Sequence, residues 1–297
     1  MVSVIIPTYN AMPAIERLIS SLKTQTAACE IIVIDSSSSD ETARAAESCG
    51  ARVITVPKQS FNHGGTRNLA AMQSRGDITV FLTQDALPCD DRCIEHLIEP
   101  LRDPRIAASY GRQIPRGDAK PTEAFARNYN YPESGSLRCW DDVEELGIKA
   151  FFFSNVCSAI RGKEFQELGG FPDKLIMFED MLYAANLLKS GYSIAYAPGA
   201  RVVHSHDYSW AGQFGRYARA GLSFSCHPWL APYARGRREG LRFLDEEIRH
   251  LLSKGMYFWG LYALGEAFFK YGGYYLGLRH GRVLKKVAKW TGRHLNA

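Results

Sequence analysis

Residues 31–42 read Ile31-Ile32-Val33-Ile34-Asp35-Ser36-Ser37-Ser38-Ser39-Asp40-Glu41-Thr42. An unbroken β-branched run has no wet face, so it predicts a short strand buried on both sides. A carboxylate closes the strand. The polar run after it leads into a helix, with Ser38 and Glu41 at capping-box spacing. The same unit recurs on either side. Upstream, Val2-Ser3-Val4-Ile5-Ile6 is an apolar strand, and residues 14–22 carry Ile15, Leu18, Ile19 and Leu22 at helical spacing. Downstream, residues 53–56 and 78–82 read as strands with a helix over 66–74 between them. Short buried strands separated by helices predict an α/β fold: a Rossmann-like, mostly parallel sheet with helices on both faces.

Such sheets bind ligands beyond the carboxyl ends of their strands. Thr8 and Asn10 lie there after the first strand, Asp35 after the second, and Thr83, Gln84 and Asp85 after the fourth. Asp35 suits hydrogen bonds from a base or ribose, and equally a helix start. Asp85 suits a divalent cation neutralising a pyrophosphate, or a turn before Pro88. Phe61-Asn62-His63-Gly64-Gly65-Thr66-Arg67-Asn68 is a glycine-containing loop entering a helix. It reads as an anion site in which Gly64 permits close approach and Arg67 contacts phosphate, or as a simple turn with an exposed Arg. No Lys-Ser or Lys-Thr follows the glycines and no G-x-G-x-x-G follows the first strand, so neither a P-loop nor a dinucleotide cofactor is expected.

In the second half, Glu179-Asp180 opens a helix. The pair suits the helix dipole, and alternatively makes Asp180 a general base. His204 and His206, two apart after a strand, share a face and can approach one metal, or are simply loop histidines. Residues 115–150 read as an irregular insertion punctuated by Pro and Gly. Regular structure returns at 151–160, with helices over 163–168 and 179–188 and a strand over 193–197. Composition changes near Trp210, which divides the chain into residues 1–210 and a helical appendage, 211–297.

The 297 residues carry a net charge of +5. That mild excess fits an anionic ligand or membrane surface and does not by itself imply a nucleic-acid partner. The seven cysteines are scattered and odd in number, which argues for reduced thiols and a cytoplasmic protein. Neither a leader nor an apolar run of spanning length is expected. Residues 255–269 are apolar and aromatic but interrupted by Glu266. Arg279, Arg282, Lys285, Lys286, Lys289 and Arg293 follow. Wedge plus basic patch suits an anchor on an anionic membrane surface. Packing on the catalytic domain, or on a second subunit in a homo-oligomer, is the alternative.

Taken in order, these segments resemble family 2 glycosyltransferases of the GT-A fold. Val4-Ile5-Ile6-Pro7-Thr8-Tyr9-Asn10 looks like that family's first strand and loop. Ile34-Asp35 through Asp40-Glu41-Thr42 looks like its nucleotide-binding segment. Thr83-Gln84-Asp85 stands where the family has its D-x-D motif, and Glu179-Asp180 looks like its acidic motif. Phe61 to Asn68, Thr83-Gln84-Asp85-Ala86 and His204-Ser205-His206 are similar to the branch of bacterial rhamnosyltransferases. The resemblance covers about residues 2–210. It implies inverting transfer of L-rhamnose from dTDP-L-rhamnose to a lipid-linked saccharide, at the inner face of the cell membrane. It also implies Asp180 as the base. Pro7, Thr8, Asn10, Asp35, His63, Gly64, Arg67, Gln84 and Asp85 would meet the donor. Mg²⁺ or Mn²⁺ would sit on Asp85 with His206 or His204. Thr83 departs from D-x-D and removes one carboxylate. A sugar nucleotidyltransferase would want a Gly-rich loop with Arg and Lys where Thr8-Tyr9-Asn10-Ala11 stands. A catalytically inactive sugar-nucleotide-binding subunit would have no need of Asp85 and Asp180.

Overall fold

At the centre of the N-terminal sheet lies β1 (Val2–Thr8), parallel to β2 (Cys29–Asp35) on one side and β4 (Ile78–Leu82) on the other. The structure is a computed structural model that describes residues 1–173, 175–234 and 236–291, with side chains at all of these except 236–238 and 282–291. β3 (Arg52–Thr55) continues the sheet beyond β2. Beyond β4 come β8 (Cys157–Arg161), β6 (Ile106–Ile114) and β9 (Ser193–Val203), with the short β5 (Leu87–Pro88) and β7 (Ser136–Arg138) both pairing with β9. Only β5, β7 and β8 run against the rest among the described strands, so the sheet is mostly parallel.

Period-two alternation sorts the strand side chains into two cores. Val4, Ile6, Ile31, Val33, Val80 and Leu82 face one side. There they meet α1 (Ala14–Lys23), α2 (Thr42–Ser48) and α4 (Cys93–Ile98). Ile5, Ile32, Ile34 and Phe81 face the other side. That side is covered by α3 (His63–Met72), α7 (Gly162–Glu167) and α8 (Glu179–Lys189).

Two local expectations are corrected. Ser38 does not cap α2, which begins four residues later with no side-chain cap; its hydroxyl and amide are both spent on Asp35. The stretch 115–150 is not wholly irregular. It holds α5 (Pro121–Asn130), β7 and α6 (Val143–Leu146).

After β9 come α9 (Trp210–Cys226), α10 (Gly236–Ser253) and α11 (Tyr257–Thr291). Glycine explains how closely α9 and α11 approach. A Cβ on Gly277 would lie 2.0 Å from the Ala218 carbonyl oxygen, and one on Gly221 2.1 Å from that of Tyr274. Glu266, which interrupts the apolar run, faces inward. It accepts hydrogen bonds from Gln213 of α9 at 3.2 Å and Thr122 of α5 at 3.3 Å, and pairs with Lys270. No helix among the described residues is long and apolar enough to cross a membrane. Arg282, Lys285, Lys286 and Lys289 fall on the last turns of α11, where no side chain is described, and Arg293 lies outside the described residues.

Candidate active site

The carboxyl ends of β1, β2 and β4 converge, as the strand register requires: Thr8 pairs with Asp35. Thr8 Oγ1 donates to Asp35 Oδ1 at 2.9 Å, Ser38 Oγ to the same oxygen at 2.5 Å, and the Ser38 amide to Oδ2 at 2.8 Å. Asp35 is 1% exposed. It therefore organises the serine loop from within, where the sequence reading had it presented to a ligand. Pro7 lies on β1 opposite Ile34. Asn10 and Ser37 adopt positive φ, 49° and 55°, a cost that non-glycine residues accept chiefly at turns and functional sites. The Asn10 Oδ1 accepts from the Ser39 amide at 2.9 Å, which ties the first loop to the second. Gln84 brackets Tyr9: its Oε1 accepts from the Tyr9 amide at 2.8 Å and its Nε2 donates to the Tyr9 carbonyl at 3.3 Å. The exposed Tyr9 ring, with Lys58 4.3 Å from its centroid, thereby stands at a fixed place over the strand ends.

Asp85, His204 and His206 come together although 119 residues separate the first from the second (204 − 85). Their ligand atoms all lie within 4.8 Å of one another. Asp85 Oδ2 is 3.5 Å from His204 Nε2 and 3.3 Å from His206 Nε2. The hydrogen-bond partners decide the tautomer of His204. Arg127 donates to Gln113 Oε1 and has no acceptor to offer, so the Gln113 oxygen faces it. That same oxygen lies 2.9 Å from His204 Nδ1, so Nδ1 carries the proton and Nε2 turns a lone pair toward Asp85. A lone pair facing a carboxylate is repulsive unless a cation lies between them. Burial, then neighbouring His204, hold His206 below its ordinary pKa, which disfavours a proton there. Ligands about 2.1 Å from an ion stand roughly 3 Å apart at right angles, close to the spacings found. The donor set of one carboxylate and two imidazoles fits a divalent ion.

Across the site, Phe178 is held at φ 76° just ahead of α8 and aims the acid pair. Asp180 Oδ1 accepts from the Met181 amide at 2.8 Å and Oδ2 from the Asn155 amide at 3.3 Å. Burial, then the adjacent Glu179 carboxylate, push Asp180 up to about 7, against the pull of those amides and of Arg67. The two halves of the site are linked: Gln113 Nε2 donates to Ser154 Oγ at 3.0 Å, and Ser154 precedes Asn155.

The glycine loop is placed otherwise than the anion-site reading expects. Asn62 Oδ1 caps α3 by accepting from the Gly64 and Gly65 amides at 3.0 and 2.9 Å. Those amides are thus already satisfied. A Cβ on Gly64 would lie 2.1 Å from the Pro172 carbonyl oxygen, so this glycine serves the close approach of α3 to the segment before α8. Arg67 is buried. It donates to the His63 carbonyl at 2.7 Å and pairs with Glu179 at 3.2 Å. Its charge is directed at the acid pair, and a phosphate has no access to it. His63 is exposed and stands edge-on to Phe61, ring centroids 5.0 Å apart.

Sequence reasoning missed Gln113, Glu123, Arg127 and Asn155. Glu123 accepts from Arg127 at 2.7 Å and from the His206 amide at 3.2 Å. A signal existed: Pro121 at a first helical position, with Glu123 and Arg127 at i,i+4 spacing.

Comparison with known proteins follows the same lines. Residues 3–169 match the family described as glycosyl transferase family 2. The O-antigen chain rhamnosyltransferase RfbN of Salmonella typhimurium is 41% identical over 280 residues, covering 93% of this chain and 89% of that protein. The O-antigen chain rhamnosyltransferase WbaN of Salmonella anatum is 40% identical, with 93% and 88% covered. Among solved structures, the mannosyltransferase PcManGT from Pyrobaculum calidifontis, in complex with GDP-Man and Mn²⁺, superposes with a TM-score of 0.60 at 20% identity. It covers 99% of this chain and 88% of that one. That likeness speaks to the fold.

Proposed function

Because the chain belongs to glycosyltransferase family 2, a family of inverting glycosyltransferases, we propose that it transfers L-rhamnose from dTDP-L-rhamnose to a lipid-linked saccharide during surface-polysaccharide synthesis. The observation that carries the reading is the pairing of a cation-ready cluster, Asp85, His204 and His206, with a carboxyl tuned to about 7 at Asp180. Asp180 takes the proton of the acceptor hydroxyl as its oxygen bonds to the anomeric carbon and the bond to the diphosphate breaks. A base works best with a pKa near the working pH, and the Asp180 environment supplies that. Asp85 with both histidines would hold Mg²⁺ or Mn²⁺, which when bound supplies positive charge to the departing diphosphate. Tyr9, Asn10 and Ser37 line the strand ends for the nucleotide, while Thr8, Asp35 and Gln84 fix their shape. The similarity to two O-antigen rhamnosyltransferases over most of the chain supports the sugar. Nucleotide release from dTDP-, UDP- and GDP-sugars, with Mn²⁺, Mg²⁺ or EDTA, and with and without lipid-linked acceptor, tests it. Acceptor-stimulated release specific to dTDP-L-rhamnose is expected. A nucleotide-sugar-binding module gives thermal shifts without release.

The acceptor class implies a membrane, and α11 has a face for one. Tyr257, Leu261, Leu264, Phe268, Tyr271 and Tyr275 recur at spacings of three and four, each at least 48% exposed. The acid within the run, Glu266, is turned away and paired, while Lys254 and Arg279 are exposed at either end. Such a stripe suits the headgroup level of an anionic leaflet. Flotation of the full chain with anionic liposomes at low salt tests this, against the Phe268→Ser and Leu261→Ser double variant. Failure to float, with dimerisation instead, would assign the stripe to a second copy.

A further inference from the structure

We propose that an aromatic trough on the flank of α8 grips the acceptor saccharide behind the sugar being extended; this rests on the glycosyltransferase reading above. Beneath it lies Phe151, fully buried, the ring on which its aromatic walls pack. Trp140 stacks on that ring with centroids 6.2 Å apart, and Tyr233 and Trp229 flank it at 5.4 and 6.3 Å. The local sequence explains why these rings face out. Pro228-Trp229-Leu230-Ala231-Pro232-Tyr233 forms a single 3₁₀ stretch, and Leu230, 1% exposed, is its plug into the core. Anchoring Leu230 leaves its neighbour Trp229 46% exposed, with Trp140 37% exposed opposite. The third wall is α8, through Leu182, Ala185, Asn186 and Lys189. Cavities of about 510 and 420 Å³ adjoin here and share Trp140 and Tyr233, a size range typical of ligand sites.

The lining selects the occupant. A pyranose offers a C–H face to an aromatic ring and hydroxyls around its rim. The trough offers exposed indoles, with Asn186, Lys189 and His227 beside Trp229, and Asp141 beside Trp140. Both hydrogen-bond donors and acceptors are present, and both signs of charge. That mixture suits a neutral polyhydroxylated chain better than an anion or an acyl chain. The aromatic packing fixes the rings beforehand, so little order is lost when a saccharide binds. Continuity with the reaction comes through α8. Pro172 and Leu182 end the trough beside the helix turn that bears Asp180. At 1.5 Å per residue, Asn186 and Lys189 stand roughly 9 and 14 Å along the axis from Asp180, with Lys189 about half a turn around it. The trough therefore lies on the side of α8 turned away from Asp180, and an acceptor held there must be long enough to span the helix, with its older sugars trailing toward Lys189.

The test titrates the full chain with lipid-free O-antigen oligosaccharide of one and of three repeats, by calorimetry without donor. The three-repeat saccharide is expected to bind at least tenfold more tightly. Trp229→Ala should lose about tenfold for it, as an aromatic anchor does, and nothing for the one-repeat saccharide. Trp229→Phe should recover most of the loss. Asn186→Ala, at an exposed position that cannot unfold the protein, should show the same length-selective weakening. In transfer assays these variants should raise KM for the long acceptor and leave kcat and the donor KM unchanged. Equal weakening at both lengths, or none, overturns the trough. Length-selective binding in a protein that transfers no sugar to any acceptor would overturn the glycosyltransferase reading and leave the trough standing.

Discussion

The amide oxygen of Gln113 lies 2.9 Å from Nδ1 of His204, 91 residues away in sequence. It fixes which nitrogen of that imidazole is free. Such outer partners typically contribute about 10- to 100-fold to metal affinity. Gln113→Ala should therefore weaken Mn²⁺ binding by about that factor, measured by calorimetry, while nucleotide affinity in EDTA stays as it was. Unchanged Mn²⁺ affinity would separate Gln113 from the cation site.

Asp85→Ala should weaken dTDP binding when Mn²⁺ or Mg²⁺ is present and have little effect in EDTA, because Asp85 is the sole carboxylate of the cluster. Wild-type activity that is indifferent to EDTA would contradict a metal role at this position.

Asp180→Asn should lower kcat by about 10²–10⁴ and keep donor affinity, the loss expected for a general base. The pH dependence carries a second sign. The folded protein binds the Asp180 proton more tightly than the unfolded chain, because burial lifts this carboxyl to about 7 from an unfolded value of about 3.9. Its stabilising contribution is thus complete below about pH 4 and lost as pH rises through 7. Activity should climb over the same interval in which this contribution to stability falls. In Asp180→Asn the share of the stability change due to this carboxyl should disappear, leaving that of Glu247, which burial likewise raises to about 7. A kcat profile flat from pH 5 to 8 would contradict the assignment.

Glu179→Gln should shift the kcat profile toward lower pH, since the Glu179 charge raises Asp180. Arg67→Met should shift it toward higher pH, since Arg67 lowers Asp180, and should destabilise the fold by about 3–5 kcal/mol by leaving a buried carboxylate unpaired. Parallel shifts in the two variants would show that neither charge acts on Asp180.

Gly277→Leu should part α9 from α11, because even a Cβ there meets the Ala218 carbonyl at 2.0 Å. Overpacking of this kind costs about 1–3 kcal/mol or more, read as a lowered thermal midpoint. A surface change such as Gly117→Leu, where a Cβ meets nothing within 4 Å, should leave the midpoint alone.

The parts legible in the sequence were those whose side chains announce their own surroundings. Ile31 to Ile34 has no polar face and had to be buried; Ile15, Leu18, Ile19 and Leu22 mark one face of one helix. Strand-end polar residues were legible for the same reason, since the strands place them. What stayed hidden depends on pairings between distant segments. Nothing local in Gly64 distinguishes a glycine that approaches phosphate from one that approaches the Pro172 carbonyl. Nothing local in Arg67 shows that Glu179 lies 112 positions on. α5 was obscured by the Pro and Gly punctuation around it, although Pro121 in fact begins the helix.

The ion pair between Arg67 and Glu179 also bears on the order in which the protein comes into being. A nascent chain that has emerged as far as Asp85 holds its strand-end loops and one ligand of the cation cluster. It lacks both histidines and Asp180, and its Arg67 has not yet met Glu179. Only when α8 docks does that cation find its partner, and in the same event Asp180 enters its place; β9 then delivers His204 and His206. A fragment released before β9 therefore lacks both histidines of the cluster, and on the proposed mechanism it has no means to squander activated sugar.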